Sequence, residues 1–171
     1  RPAGAEAARE MRLAWLRDFA ALGSAADRPL AAFTSRTHGA EQVVGYQKAA
    51  MVFLMLRDAI GTEPFDRALR AFWREHRGGT ASWDDLRAAF EAASKQDLRP
   101  YFAQWLDRTG APALRLASAS VVRDGARSRV DVELTQTAPV YRLRVPLALR
   151  FEGGTEEMRW VDFEGARARF T

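Results

Sequence analysis

Two histidines, His38 and His76, are the whole imidazole supply of this chain, and it has no cysteine and no asparagine. Chemistry that needs several imidazoles or a thiolate has little to work with here. A helical zinc site of the His-Glu-x-x-His kind places two imidazoles on one helix face with a general base between them. His38 is followed by Gly39-Ala40-Glu41-Gln42 and His76 by Arg77-Gly78, so neither starts that pattern. No Gly-x-Ser-x-Gly elbow and no Gly-rich phosphate loop occurs either. Asp84 and Asp85 are adjacent carboxylates, but neighbours on a helix point about 100° apart. They suit capping and solvation better than a shared substrate. His76, near a helix end with Arg74 and Arg77, reads as a surface residue favoured by the C-terminal dipole. His38, in a loop, is read the same way.

These residues sit in a chain of 171, room for one domain or one and a half. Hydrophobic residues make 47% and charged residues 28%, an ordinary globular balance. No run approaches the 18 or so apolar residues of a membrane span, so no transmembrane segment is expected. The start, Arg1-Pro2-Ala3-Gly4, shows neither a charged-then-apolar leader nor a Met, which suggests a chain cut from something longer. The net charge of +4 is spread: residues 1–110 carry 16 basic and 14 acidic groups, and residues 111–171 carry 10 and 8. Nucleic-acid binders cluster their basic groups on one face, so no nucleic-acid partner is expected. Only Lys48 and Lys95 are lysines, and the arginine bias looks like a habit of the source genome.

The period of the apolar residues changes near Gly110-Ala111-Pro112. Before it, spacings of three and four predict helices. Glu6–Leu22 carries a stripe of Met11, Trp15, Phe19 and Leu22. Residues 24–41 read as a loop. Gln42–Ile60 is apolar nearly all round and reads as a buried central helix closed by Gly61. A helix then starts at a capping Thr62 with Pro64 in its first turn, and its stripe is Phe65, Leu69, Phe72 and Trp73. Ser82-Trp83-Asp84-Asp85 opens the next, and a short helix runs from about Arg99 to Arg108. After Pro112 the period is two, with turns at Asp124-Gly125 and Gly153-Gly154. Five short strands follow, and Pro146 marks an edge or a bulge. The expected fold class is therefore multi-part α then β. A helical subdomain of four or five helices, residues 1–110, precedes a small antiparallel sandwich-like β-domain, residues 111–171, which could lack a strand.

Three stretches, in order, resemble a known family. Gly45-Tyr46-Gln47-Lys48-Ala49-Ala50-Met51 resembles the Tyr-Glu-Lys-Gly-Ala helix of the zinc aminopeptidases of the gluzincin class, the family of aminopeptidase N and leukotriene hydrolase. Gly61–Phe65 through Gly79–Leu86 resembles the helical pair that follows there. Leu98-Arg99-Pro100-Tyr101-Phe102-Ala103-Gln104-Trp105-Leu106 through Gly110-Ala111-Pro112 is similar to its Phe-Phe-x-x-Trp-Leu…Gly-x-Pro ending, which leads into a β-domain. The resemblance covers residues 40–120 well and the β-part by pattern only.

The resemblance implies a C-terminal part of a zinc aminopeptidase-like catalytic domain, separated from the missing N-terminal half that carries His-Glu-x-x-His and the Gly-x-Met-x-Asn strand. It implies zinc in the full-length parent and none in this chain, a peptide substrate for the parent, and an inactive fragment. It implies one catalytic residue here: Tyr46, matching the tyrosine that gives its hydroxyl to the tetrahedral oxyanion. Lys48 matches the family's Lys, with structural pairing as its work. Ala49 stands where the family has Gly, and Gln47 where it often has Glu. The alternative is a non-catalytic peptidase-like scaffold used for peptide binding or assembly. A further alternative is an independent helical-plus-β binding module. A split catalytic domain would expose an apolar face, so self-association is expected, most of all through Gln42–Ile60. Relatives occur in the cytoplasm and on membranes, so the compartment stays open.

Overall fold

The computed structural model describes residues 2–34, 39–125 and 127–171. They form two compact units that divide after Gly110.

The helical unit opens with α1 (Pro2–Ala21), which starts four residues earlier than its apolar stripe requires. Trp15 and Phe19 of that stripe are half-buried, while Met11 is exposed. A single 3₁₀ turn, Leu30–Ala32, follows, with Leu30 only 1% exposed. The segment read as one α-helix from Gln42 to Ile60 is a composite. A short α-turn, α2 (Ala40–Gln42), runs into a π-helical stretch, Val43–Lys48, and then into α3 (Ala49–Ile60). Its burial also differs from the expectation. Val44, Lys48, Val52, Leu56 and Ile60, four apart, form one buried line, and most other positions are half-buried. Gly61, at φ 91°, closes α3 and directly precedes α4 (Thr62–His76). Thr62 is thus the first helical residue rather than the cap, because the left-handed turn at Gly61 already redirects the chain.

α5 (Trp83–Ser94) begins with a complete capping box: the Ser82 hydroxyl accepts from the Asp85 N–H, and the Asp85 carboxylate accepts from the Ser82 N–H. α6 (Arg99–Leu106) takes Pro100 in its first turn, where no N–H is missed. Phe53, Phe65, Phe90 and Phe102 pack as one aromatic core across α3 to α6, with the Phe65 and Phe90 rings 5.2 Å apart. Tyr101 donates its hydroxyl to the carbonyl of Val52 at 2.7 Å, which ties α6 to α3.

The β unit has five antiparallel strands in two small sheets. β1 (Leu114–Asp124) pairs with β2 (Arg127–Gln136) through a tight turn at Gly125, and β2 pairs with β5 (Arg167–Phe170). β3 (Leu143–Arg150) and β4 (Glu156–Phe163) form the second sheet, where Pro146 faces Trp160. A two-stranded sheet has only edges, which is where proline is tolerated. Val132, Leu134 and Phe163 are the buried centre of this unit, with Val145, Val161 and Phe170 against them. The amide of the buried Gln136 holds two loops: its Nε2 donates to the carbonyls of Tyr141 and Gly165, both at 2.8 Å.

Candidate active site around Tyr46

The site grows from the π-helical stretch. In Val43–Lys48 the backbone bonds i→i−5, which widens the turn by one residue, and the Ala49 N–H reaches both Tyr46 and Val44 carbonyls at the return to α-geometry. Val44 and Lys48 face inward on this stretch, while Tyr46 between them is 46% exposed. Its hydroxyl has no hydrogen-bond partner among the described residues. Its ring meets the ring of Phe33 edge to face, with centroids 5.5 Å apart and planes at 73°. Phe33 lies over Gly45, so close that a Cβ at position 45 would fall inside the ring. A glycine is required there by space, not by backbone conformation.

Two residues beyond Tyr46, Lys48 anchors the same turn from the inside. It is 8% exposed, its Nζ donates to the Arg108 carbonyl at 3.1 Å, and it stands 3.9 Å from the Asp27 carboxylate. The other oxygen of Asp27 accepts the Gly110 N–H. The Phe19 ring of α1 lies 5.4 Å below the ammonium. Burial pushes the Lys48 ammonium below the ordinary lysine range, and the Asp27 charge opposes that shift. Gln47 donates to Asp18 of α1 at 2.8 Å. Lys48 therefore does pair structurally, with partners 21 and 60 residues away in the chain. Ala49 is half-buried at the start of α3. The tight approach in this region is at Gly45, four residues earlier.

A cleft of about 230 Å³ opens beside this turn, walled by Arg28, Pro29, Phe33, Glu41 and Val44. A second, shallow groove runs between α4 and α5, floored by alanines, with Arg67, His76 and Asp85 at its ends. Two of its charged groups are committed elsewhere: Arg67 to Glu63 and to the Ala93 carbonyl, Asp85 to Ser82. His76 ends α4, its ring tilted against that of Phe72 with centroids 4.8 Å apart. Asp84 pairs with Arg87 at the surface. His38 lies outside the described residues. Among the described residues no three His, Cys, Asp or Glu side chains converge to hold a metal. No helix among them is long and apolar enough to cross a membrane.

The most exposed large apolar side chains do not lie on Gln42–Ile60, where a split catalytic domain is expected to expose them. Tyr46 is the exposed large apolar side chain of that segment, whereas Trp73 of α4, Val121 of β1 and Leu116 of β1 are more open. Phe33 and Asp27 carry the geometry around Tyr46, and the sequence pattern singles out neither. The one local signal is the Gly45-Tyr46 pair, a glycine inside an otherwise continuous helical pattern.

Residues 33–105 match the Peptidase family M1 domain. The matched stretch begins at Phe33 and contains Gly45, Tyr46 and Lys48. The chain is 28% identical over 122 residues to the tricorn protease-interacting factor F2 of Thermoplasma volcanium, covering 70% of this chain. It is 34% identical over 67 residues to aminopeptidase N of Escherichia coli, covering 39% of this chain. It spans 15% and 8% of those two proteins. A crystal structure of Legionella pneumophila aminopeptidase A in complex with aspartic acid shares the fold. The TM-score is 0.59 at 22% identity, over 86% of this chain and 18% of that one. The element order and the matched stretch give the class this chain is similar to, the aminopeptidases. It resembles the C-terminal catalytic part of the gluzincin zinc aminopeptidases and carries no His-Glu-x-x-His.

Proposed function

We propose that this chain works within a longer zinc aminopeptidase. In it, Tyr46 donates its hydroxyl to the oxyanion that forms as water adds to the carbonyl of a peptide's first peptide bond. The observation that carries this reading is the placement of Tyr46: half-open, on a π-helical turn held from behind by Lys48, inside the stretch matched to the M1 family. A donor on a rigid element gains most where charge is greatest, so its hydrogen bond strengthens from ground state to tetrahedral state. That difference lowers the barrier, and it depends on the phenol being fixed beforehand.

Residues 1–110 would then be the helical end of a catalytic domain, and residues 111–171 the β-domain that follows it in the chain. The residues present here do not fit a zinc site, since no donor set converges among those described. The metal's ligands would lie outside this chain, and the chain alone would be inactive. Its own contribution to the chemistry is the phenol of Tyr46.

The test is Tyr46→Phe in the longer protein, assayed on an aminoacyl p-nitroanilide. The expected result is a fall in kcat of about 10²–10³-fold with KM and melting temperature little changed. Unchanged hydrolysis would reject the role. A wild-type protein that binds peptides without cleaving them would favour the scaffold reading.

A further inference from the structure

We propose that Phe33 is the positioning residue of Tyr46, a role that rests on the reading of Tyr46 above. Phe33 is fixed at its base. Its N–H donates to the Leu30 carbonyl at 3.1 Å, and Leu30 is buried under the 3₁₀ turn. Its ring fills the place that a side chain at residue 45 would occupy, so the helix wall at Gly45 is its seat. From that seat its ring meets the Tyr46 ring at 73°. The phenol otherwise stands nearly half in solvent, free to turn about two side-chain bonds. An edge-to-face partner seated against the helix wall at Gly45 limits that freedom on one side. A hydroxyl displaced by about 1 Å from a developing charge can lose about 100-fold in rate. Phe33 therefore acts through Tyr46, and Gly45 acts by making room for Phe33.

Phe33 also walls the neighbouring cleft, so a simple loss of rate on mutation is not enough to assign the role. The deciding experiment is a double-mutant cycle in the longer protein: Phe33→Ala and Phe33→Tyr, each alone and combined with Tyr46→Phe, with kcat and KM measured on an aminoacyl p-nitroanilide. Phe33→Ala is expected to lower kcat at least about tenfold with KM within about threefold, and Phe33→Tyr to retain most of the rate. In the Tyr46→Phe background, Phe33→Ala is expected to cost nothing further. A wild-type kcat in Phe33→Ala, a change in KM alone, or a full additional loss in the Tyr46→Phe background overturns the positioning role while leaving that of Tyr46 intact. Full activity of Tyr46→Phe overturns the Tyr46 reading itself. Should Phe33→Ala not fold, Phe33→Leu keeps bulk without the ring edge and carries the same cycle. Fluorotyrosine ¹⁹F spectra of the longer protein, with the Tyr46 signal assigned by its loss in Tyr46→Phe, supply a second reading. That signal is expected to shift in Phe33→Leu, and an unmoved signal contradicts the proposal.

Discussion

The ammonium of Lys48 and the carboxylate of Asp27 face each other at 3.9 Å, both buried, and between them they hold the backbone at Arg108 and Gly110. One ion pair thus joins the π-helical turn, the loop after α1 and the end of α6. Removing one partner leaves the other buried and uncompensated, and that is the costly case for buried charges. Lys48→Met is expected to destabilise the chain by about 2–3 kcal/mol, the modest value reflecting the long separation of the charges. Adding Asp27→Asn should recover part of that loss. Urea denaturation checks both, as a lower midpoint at unchanged slope for the single variant and a smaller deficit for the double.

Gly45→Ala puts a methyl group inside the Phe33 ring, so the ring must leave its seat. A loss of about 1–3 kcal/mol is expected from this overpacking. Combining it with Phe33→Ala removes the clash, and thermal melts should show the double variant more stable than Gly45→Ala alone. If Gly45→Ala melts like the wild type, the packing of Phe33 on the helix is not as described.

Much of the scaffold is legible in the sequence. Strict alternation in Arg129–Leu134 places β2, because Val130, Val132 and Leu134 pack into the core while Glu133 between them pairs with Arg167 and Arg169. Ser82 and Asp85 announce a helix start, because a capping box is a local device three residues long. Around this turn only Tyr46 and Lys48 stand out in the sequence, and only through resemblance. The π-turn itself is not legible, since apolar spacing barely distinguishes i→i−4 from i→i−5 bonding over a single turn. Asp27 and Phe33 stand in an irregular loop without period, and their partners lie across the fold, with Arg108 60 residues from Lys48. Pairings of that range leave no mark in local pattern.

Three carboxylates are held below their ordinary range by donors that fold around them. Asp97, bonded by the Arg99 side chain and backbone N–H, falls to about 2. Asp85 is lowered by Ser82, and Glu133 by Arg169 and Arg167. A carboxylate with a depressed folded pKa stabilises the fold fully above its unfolded value of about 4, and that contribution is lost as pH falls through the folded value. Stability is therefore expected to drop between about pH 4 and pH 2, and Asp97→Asn to flatten part of that drop. Melting temperature against pH, with NMR titration of Asp97, measures it.

Ser82→Ala removes the acceptor for the Asp85 N–H and half of the capping box. About 1 kcal/mol of stability should be lost, read by chemical denaturation. Ser82→Asp should restore most of it, since a carboxylate accepts the same bond and suits the helix N-terminus.

The 171-residue chain by itself is expected to self-associate, because Trp73 is 68% exposed and Leu116 and Val121 stand open on β1. Strictly monomeric light scattering at high concentration would count against this. Replacing Trp73 and Val121 by polar residues should shift the chain toward monomer if those side chains are responsible.

In the proposed function, Tyr46 binds the transition state and not the substrate. The most direct measurement is the affinity of the longer protein and its Tyr46→Phe variant for a peptide phosphonate, whose tetrahedral oxyanion mimics that state, set beside the affinity for a free amino-acid product. Tyr46→Phe is expected to weaken the phosphonate by about 100-fold and to leave product binding within about twofold. Equal weakening of both ligands, or of neither, would contradict that role.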